Sequence, residues 1–147
     1  MFYYIPSERW FIVSVLALLG GLFAAGGLGT YAAKVFIVDP IREYRQVRRN
    51  VSRDLVDYGN LIANPGSGES DRIDEAEATF RGHASELKAA IDDIPLYGIW
   101  ARLRLVPPRD DALEAKRQLV GLSNSLQQGR VEWNDEMRNK LQGLLGL

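Results

Sequence analysis

The feature that most constrains this chain is a run of twenty-four residues without a charged side chain, from Trp10 to Ala33. As an α-helix with a rise of about 1.5 Å per residue, the run would reach about 36 Å, more than a hydrocarbon core of about 30 Å. Trp10 and Tyr31 stand near its ends, where aromatic rings settle among lipid headgroups, and Lys34 can extend its ammonium group to the same level. We therefore expect a transmembrane helix over residues 10–38.

Basic residues around this run predict its orientation. Before it there is only Arg9, opposed by Glu8, whereas Lys34 and five arginines follow within twenty residues. The positive-inside rule then places a short tail, 1–9, outside an inner cell membrane and residues 39–147 in the cytoplasm. A cleaved signal peptide is the rival interpretation, but its apolar part is usually shorter than this run.

Small residues recur through the run at steps of three or four, which keeps them on one face of a helix. Such a face lets a second membrane helix approach closely, so that packing and weak hydrogen bonds hold the pair. The alternative is that glycine is simply common in membrane helices. We expect a helix–helix contact in the membrane through Ser14, Ala17, Gly21, Ala25, Gly29 and Ala32.

Beyond the run, apolar residues recur with helical spacing and nothing alternates with period two over a useful length. Asp39-Pro40 has the residue types of a helix start, with Asp as the cap and Pro in the first turn. The predicted fold is all-α: one transmembrane helix followed by an antiparallel helical hairpin or bundle. The predicted helices of the cytoplasmic domain cover about 40–63, 71–94, 109–128 and 131–145.

The first two of these helices have similar lengths, so an antiparallel hairpin would return residues 94–106 to the level at which the chain leaves the bilayer. Tyr97, Trp100, Arg102 and Arg104 give this segment the composition of a piece that rests among lipid headgroups. The same composition suits a corner of the helical core, and the two interpretations are equally compatible with the sequence.

Arg42, Arg45 and Arg49 lie on the face of the first cytoplasmic helix opposite its apolar stripe. Near an anionic leaflet each basic charge contributes about 1 kcal/mol, so we expect these residues to orient the chain and contact lipid headgroups. Salt bridges to the returning helix are the alternative. The formal net charge of the whole chain is −1 and no aromatic residues interleave the arginines, so a nucleic-acid partner is not expected.

Few residue types suited to catalysis or metal binding are present. There is no cysteine, and the one histidine, His83, has Glu86 one turn away but no second histidine to complete a metal site. A structural role for His83 is the simpler interpretation. We expect no catalytic, cofactor or metal site and no small-molecule substrate, and the protein is not predicted to be an enzyme.

These features favour a single-span scaffold or accessory subunit that associates with itself, as a homo-oligomer, or with a larger membrane protein complex. Its other partner is the lipid bilayer. The alternative is a membrane effector or signalling element whose glycine-rich span oligomerises and perturbs the bilayer.

Overall fold

In this computed structural model the described part of the chain comprises residues 13–14, 16–18 and 26–147. It is all-helical and contains no β-strand. The chain divides into two compact units, Met1–Asp39 and Pro40–Leu147. Its α-helices are α1 (Gly27–Ala33), α2 (Asp39–Asp57), α3 (Gly59–Ala63), α4 (Ser70–Asp93), α5 (Tyr97–Arg102), α6 (Arg109–Ser125) and α7 (Val131–Leu145).

The first unit contains the whole of the predicted transmembrane helix, residues 10–38, but residues 10–12, 15 and 19–25 lie outside the described part. The described residues before Gly26 are helical and exposed. Among residues 13–14, 16–18 and 26–147, no helix combines the length and apolar character that crossing a bilayer requires.

The chain changes helix type where proline follows aspartate. Residues Lys34–Val38 form a π-helical segment, and the Asp39 N–H donates to the carbonyl of Lys34. Pro40 has no N–H to give to the Phe36 carbonyl, and its ring crowds that carbonyl, so the turn before it widens. We expected Asp39 to cap a new helix, but its φ of −67° and ψ of −47° are helical. The prediction of a cap at Asp39 is therefore wrong.

The second unit is an antiparallel helical bundle, as predicted. The backbones of α4 and α6 approach closely along their length, and α6 approaches α7 in the same way. Helix α2 and the residue after it contact α4 through side chains: Asp54 meets His83, and the ring of Tyr58, just beyond the end of α2, packs edge-on against Phe80 at 5.8 Å. Residue numbers increase from Asp54 to Tyr58, whereas those of their partners decrease from His83 to Phe80. Helices α2 and α4 are therefore antiparallel.

Three apolar stripes form most of the core. Each follows the three-and-four spacing that places side chains on one helix face, and each faces inward, where burial contributes about 25 cal/mol per Å² of apolar surface. The buried side chains of α2, α4 and α6 include Ile41, Tyr44, Val47, Val51, Leu55, Ile73, Ala76, Phe80, Ala84, Leu87, Ile91, Ala112, Ala115, Leu119 and Leu122.

The bundle has two ends that differ in composition. We call proximal the end at which the chain enters at Pro40; it holds the first turns of α2, α5, the loop 103–108 and the last turn of α7. There Arg48 donates to the Leu145 carbonyl at 3.4 Å, across a groove that Ala101 and Arg104 also line. Helix α2, the corner around α5 and the last turn of α7 therefore line one groove.

The distal end of the bundle holds α3, the loop 64–69 and the first turn of α7. Asn134, fully buried, donates to the Ile62 carbonyl at 3.1 Å and accepts from the Ser125 hydroxyl at 2.5 Å. Gly66 adopts a positive φ of 75°, and its N–H donates to the Leu126 carbonyl at 2.9 Å. A Cβ atom at Gly66 would lie 2.9 Å from the backbone carbonyl oxygen of Gln127, which is too close, so glycine is required at this turn.

Candidate membrane interface

The arginines of the first turns of α2 face solvent at the proximal end. Arg42, Arg45 and Arg49 are exposed, and together with Glu43 and Gln46 they line a shallow cleft. Within the described residues neither Arg42 nor Arg45 forms an ion pair. Their positive charge is therefore available to an outside partner.

The ion pairs that the hairpin suggested between α2 and the end of α4 are not formed. Asp92, which the sequence places at the return of the hairpin, pairs with Lys88 and accepts from Arg109 at 2.8 Å. Lys88 lies one turn earlier on the same helix and Arg109 opens α6, so the end of α4 draws its cationic partners from α4 and α6. In the part of the chain that the structure describes, Arg42 and Arg45 of α2 therefore have no carboxylate partner on α4.

At the corner that follows α4, the aromatic side chains are buried and the arginines are exposed. Tyr97 and Trp100 are buried, and the Trp100 indole N–H donates to the Pro95 carbonyl at 2.9 Å. Arg102 and Arg104 are exposed. The structure thus assigns the two aromatic residues to the core corner, the second interpretation of this segment, and leaves its arginines facing outward.

Leu96 at this corner has an unusual backbone and an unusual exposure. Its φ of 54° and ψ of 40° are left-handed, a conformation that costs a residue with a side chain about 1–2 kcal/mol. Its side chain is 73% exposed, the highest fraction among the large apolar side chains of the described residues. Pro95, which ends α4, fixes the direction in which the chain leaves that helix. Sequence reasoning missed Leu96, because a single leucine between Pro and Tyr carries no periodic signal.

A cleft of about 600 Å³ opens beside Leu96. Its walls are mostly apolar, with Ile94 and Ile99 among them, and its charged side chains are Arg102 and Arg109. The Arg109 guanidinium lies 5.9 Å from the centre of the Tyr97 ring, within the range of a cation–π contact. The cleft therefore joins an apolar wall to two cationic groups.

Two buried tyrosine hydroxyls lie in the proximal part of the core. Neither the Tyr44 nor the Tyr97 hydroxyl has a hydrogen-bond partner among the described residues. Burial raises the pKa of Tyr97 to about 12, and burial together with the neighbouring Tyr97 raises the pKa of Tyr44 well above its ordinary value. Both phenols are neutral near pH 7, so the core at the proximal end contains them as uncharged groups.

The single histidine is part of a buried contact between helices. His83 Nε2 donates to Asp54 Oδ2 at 2.6 Å, and Nδ1 lies 3.3 Å from Glu86 Oε2. Burial alone would raise the pKa of Asp54, but hydrogen bonds from Arg53 and His83 and their charges outweigh it, so the pKa is lowered. Asp54 therefore remains ionised and clamps α2 to α4.

The sequence pointed to Glu86 and missed Asp54, which lies twenty-nine positions away on another helix. No local spacing links the two residues. Within the described part of the chain, no three His, Asp or Glu side chains are grouped so that they could hold a metal ion.

The residues predicted to act inside or at the edge of the membrane are only partly described. Ser14 and Ala17 lie in exposed helical positions, Gly29 and Ala32 are half-buried, and Tyr31 and Lys34 are exposed. Trp10, Gly21 and Ala25 lie outside the described residues.

Comparison with protein-family models, with curated proteins and with solved structures gave no match. Function is therefore inferred from the bundle, its proximal end and the uncharged run before it.

Proposed function

We propose that this protein is a single-span, membrane-anchored helical scaffold or accessory subunit. The observation that carries the proposal is the uncharged run from Trp10 to Ala33, followed at Pro40 by a compact helical bundle. A run of this length is the usual signature of a transmembrane helix. A bundle of about a hundred residues buries a modest fraction of its surface, so a second surface would stabilise it.

The charge distribution supports a cytoplasmic bundle beside an inner membrane. Lys34, Arg42, Arg45 and Arg49 follow the run and are exposed. Cytoplasmic flanks of membrane helices carry such an excess of basic residues, and anionic headgroups attract them. The exposed arginines of α2 are accordingly proposed as lipid contacts and as determinants of orientation.

The distal end offers a surface for a protein partner. Trp133 is 58% exposed, and the Arg130 guanidinium stacks over its ring at 5.2 Å. Tryptophan and arginine are the residue types most enriched among the energetically dominant contacts of protein interfaces. Together with the small-residue face of the span, this pair supports association with further copies of the chain or with a larger complex.

Two measurements on the full chain test the proposal. Membrane vesicles that contain the protein are washed with alkaline carbonate, which releases peripheral proteins, and the anchored chain is expected to stay in the pellet. The protein is then purified in mild detergent and its mass is measured by light scattering. Release by carbonate would refute the anchor, and a strict monomer that co-purifies with nothing would refute the scaffold.

A pair of variants locates the association. Trp133→Ser at the distal end is expected to shift the particle mass toward the monomer, because it removes the exposed ring and the stacked guanidinium loses its partner. Val56→Ser removes a side chain of α2 that is 70% exposed and has no such partner among the described residues, so it is the control. Equal effects of the two substitutions would contradict an association surface at Trp133.

A further inference from the structure

We propose that Leu96 enters the bilayer and that the cleft beside it, which carries Arg102 and Arg109, receives the phosphate of an anionic lipid headgroup. This inference rests on the proposed membrane anchor. It adds a defined contact site on the bundle and names its occupant, the anionic leaflet of a bilayer.

The side chain of Leu96 is exposed although its backbone conformation is unfavourable. A left-handed leucine is unfavourable relative to glycine, and here the side chain obtains no burial in return, since it is 73% exposed. Costly backbone geometry of this kind concentrates at sites of function. An apolar side chain held outward on a corner is suited to insertion below the headgroup level.

The cleft beside Leu96 matches the chemistry of a phospholipid. Its apolar wall of Ile94, Leu96 and Ile99 suits the first methylenes of an acyl chain. Arg102 and Arg109 lie on the same cleft. Arg109 already donates to Asp92 through Nη2, but a guanidinium has five N–H donors, and the others remain to bind phosphate. A protein partner would need a matching anion beside an apolar group, whereas an anionic leaflet presents both over its whole surface.

The short segment before Pro40 limits how far the start of the bundle can lie from the uncharged run. Residues 34–39 are all that separates the uncharged run from Pro40, and even fully extended they span about 20 Å. The chain enters the bundle at its proximal end, where Tyr44 of α2 lies close enough to Tyr97 of α5 to raise its pKa. If the run is in the membrane, Pro40 lies within about 20 Å of its end.

The test uses the absence of cysteine, because one introduced thiol can be labelled uniquely. Leu96→Cys and Val56→Cys in the full chain are labelled with an environment-sensitive fluorophore and placed in nanodiscs of phosphatidylcholine mixed with phosphatidylglycerol. Val56 is the matched control, since it is 70% exposed and lies about 24 Å further along α2 from Pro40. We expect blue-shifted emission at position 96 that nitroxide-labelled lipids quench, and neither effect at position 56.

Lipid composition tests the role of the arginines. Replacing phosphatidylglycerol by phosphatidylcholine is expected to reduce the quenching at position 96, and Arg102→Gln is expected to reduce the difference between the two compositions. A label at position 96 as solvated as the one at position 56 would overturn the inference. A blue shift without quenching by nitroxide lipids would also overturn it, because the label would then lie against protein.

A second variant keeps the test independent of folding. Leu96→Gly removes the side chain and suits the left-handed backbone, so the bundle is expected to keep its helical circular dichroism and its thermal midpoint or to gain in stability. With the fluorophore at Gly98→Cys, an exposed position with open space for a side chain, Leu96→Gly should decrease the quenching. Unchanged quenching would overturn the inference. If these variants stay in the pellet after carbonate washing, the proposed anchor stands and only the proposal of a lipid site at the cleft fails.

Discussion

At the scale of single residues, the bundle depends on a small number of buried polar contacts. Asp54 and His83 join α2 to α4, and Asn134 joins α7 to the carbonyl of Ile62 and to the end of α6. A buried polar group that loses its partner costs about 1–3 kcal/mol, whereas the bond itself contributes less. These residues therefore specify which helix faces meet, because a shifted helix would leave a buried group without its partner.

Asp54→Asn tests the clamp between α2 and α4. The lowered pKa of Asp54 means that its contribution to stability is fully present above its unfolded value near pH 4 and is lost as the pH falls through the lower folded value. We expect the variant to be less stable than the parent chain by about 1–3 kcal/mol at pH 7. The difference should shrink below about pH 4.

Thermal unfolding of the full chain in mild detergent, followed by circular dichroism at several pH values, measures this effect. Asp57→Asn is the control, since Asp57 is exposed on the same helix and forms only a long ion pair, with its Oδ2 atom 4.0 Å from Arg53 Nε. A constant difference between the Asp54 variant and the parent chain across the acid range would contradict the ionised clamp.

At the scale of helices, the sequence predicts some stripes better than others. The spacing of Ile41, Tyr44 and Val47 predicts the buried face of α2 because apolar burial alone determines it. In α7 apolar residues with helical spacing begin at Trp133, but that ring is exposed and Asn134 is buried beside it in the sequence. The buried side chain of Asn134 is stabilised by hydrogen bonds to Ile62 of α3 and Ser125 of α6. No pattern within the sequence of α7 predicts these two partners.

The same limit applies to the site at the proximal end. For residues 94–106 the sequence leaves two interpretations open, a piece that rests among lipid headgroups and a corner of the core, because the same composition suits both. It does not predict which apolar side chains turn inward. That choice depends on the left-handed φ of Leu96 after Pro95, which sends Tyr97 and Trp100 into the core and Leu96 outward.

Alanine substitutions at two helical glycines distinguish the effect of backbone entropy on stability from the effect of packing. Gly82 of α4 has open space where a side chain would stand, so Gly82→Ala is expected to stabilise the bundle by about 0.5–1 kcal/mol. At Gly121 of α6 a Cβ would lie 2.8 Å from the Met137 sulfur, which must move. Gly121→Ala should therefore give a smaller gain or a loss. Thermal midpoints compare the two variants, and an equal or larger gain at Gly121 would contradict close packing of α6 on α7.

The contact between α6 and α7 also has a charged component at its surface. Glu114 accepts hydrogen bonds from Lys140 at 2.8 Å, Arg117 at 3.0 Å and Gln118 at 2.7 Å. The hydrogen bond from Lys140, followed by those from Arg117 and Gln118, lowers the pKa of Glu114 to about 2. The carboxylate thus remains ionised in acid that would protonate an ordinary glutamate.

Glu114→Gln is expected to lower the thermal midpoint at neutral pH. The difference from the parent chain should be complete above about pH 4.5, the unfolded value, and should decline as the pH falls toward 2. Salt should reduce it, because the group is at the surface. Glu136→Gln, an exposed glutamate of α7 without an ion pair among the described residues, is the control. A pH-independent difference would contradict the role of the ionised carboxylate.

At the scale of the whole molecule, the boundary between Asp39 and Pro40 separates two kinds of sequence. Before it lie the uncharged run and the π-helical segment; after it lies a bundle whose polar clamps and apolar stripes are all contributed by residues 40–147. A unit that contains its own core can fold without the segment that precedes it. We therefore expect the stability of the bundle to be independent of the uncharged run.

A chain that begins at Pro40 tests this division. We expect it to be helical and to unfold cooperatively with a midpoint close to that of the full chain, because Ile41, Tyr44 and the clamp at Asp54 remain. Without the run it should bind vesicles only through its arginines and Leu96. Sedimentation should then show binding to anionic vesicles at low salt and loss of binding near 1 M salt, where the screening length falls to about 3 Å. An unfolded fragment would contradict the independence of the bundle, whereas equal binding to neutral vesicles would show that charge does not select the surface.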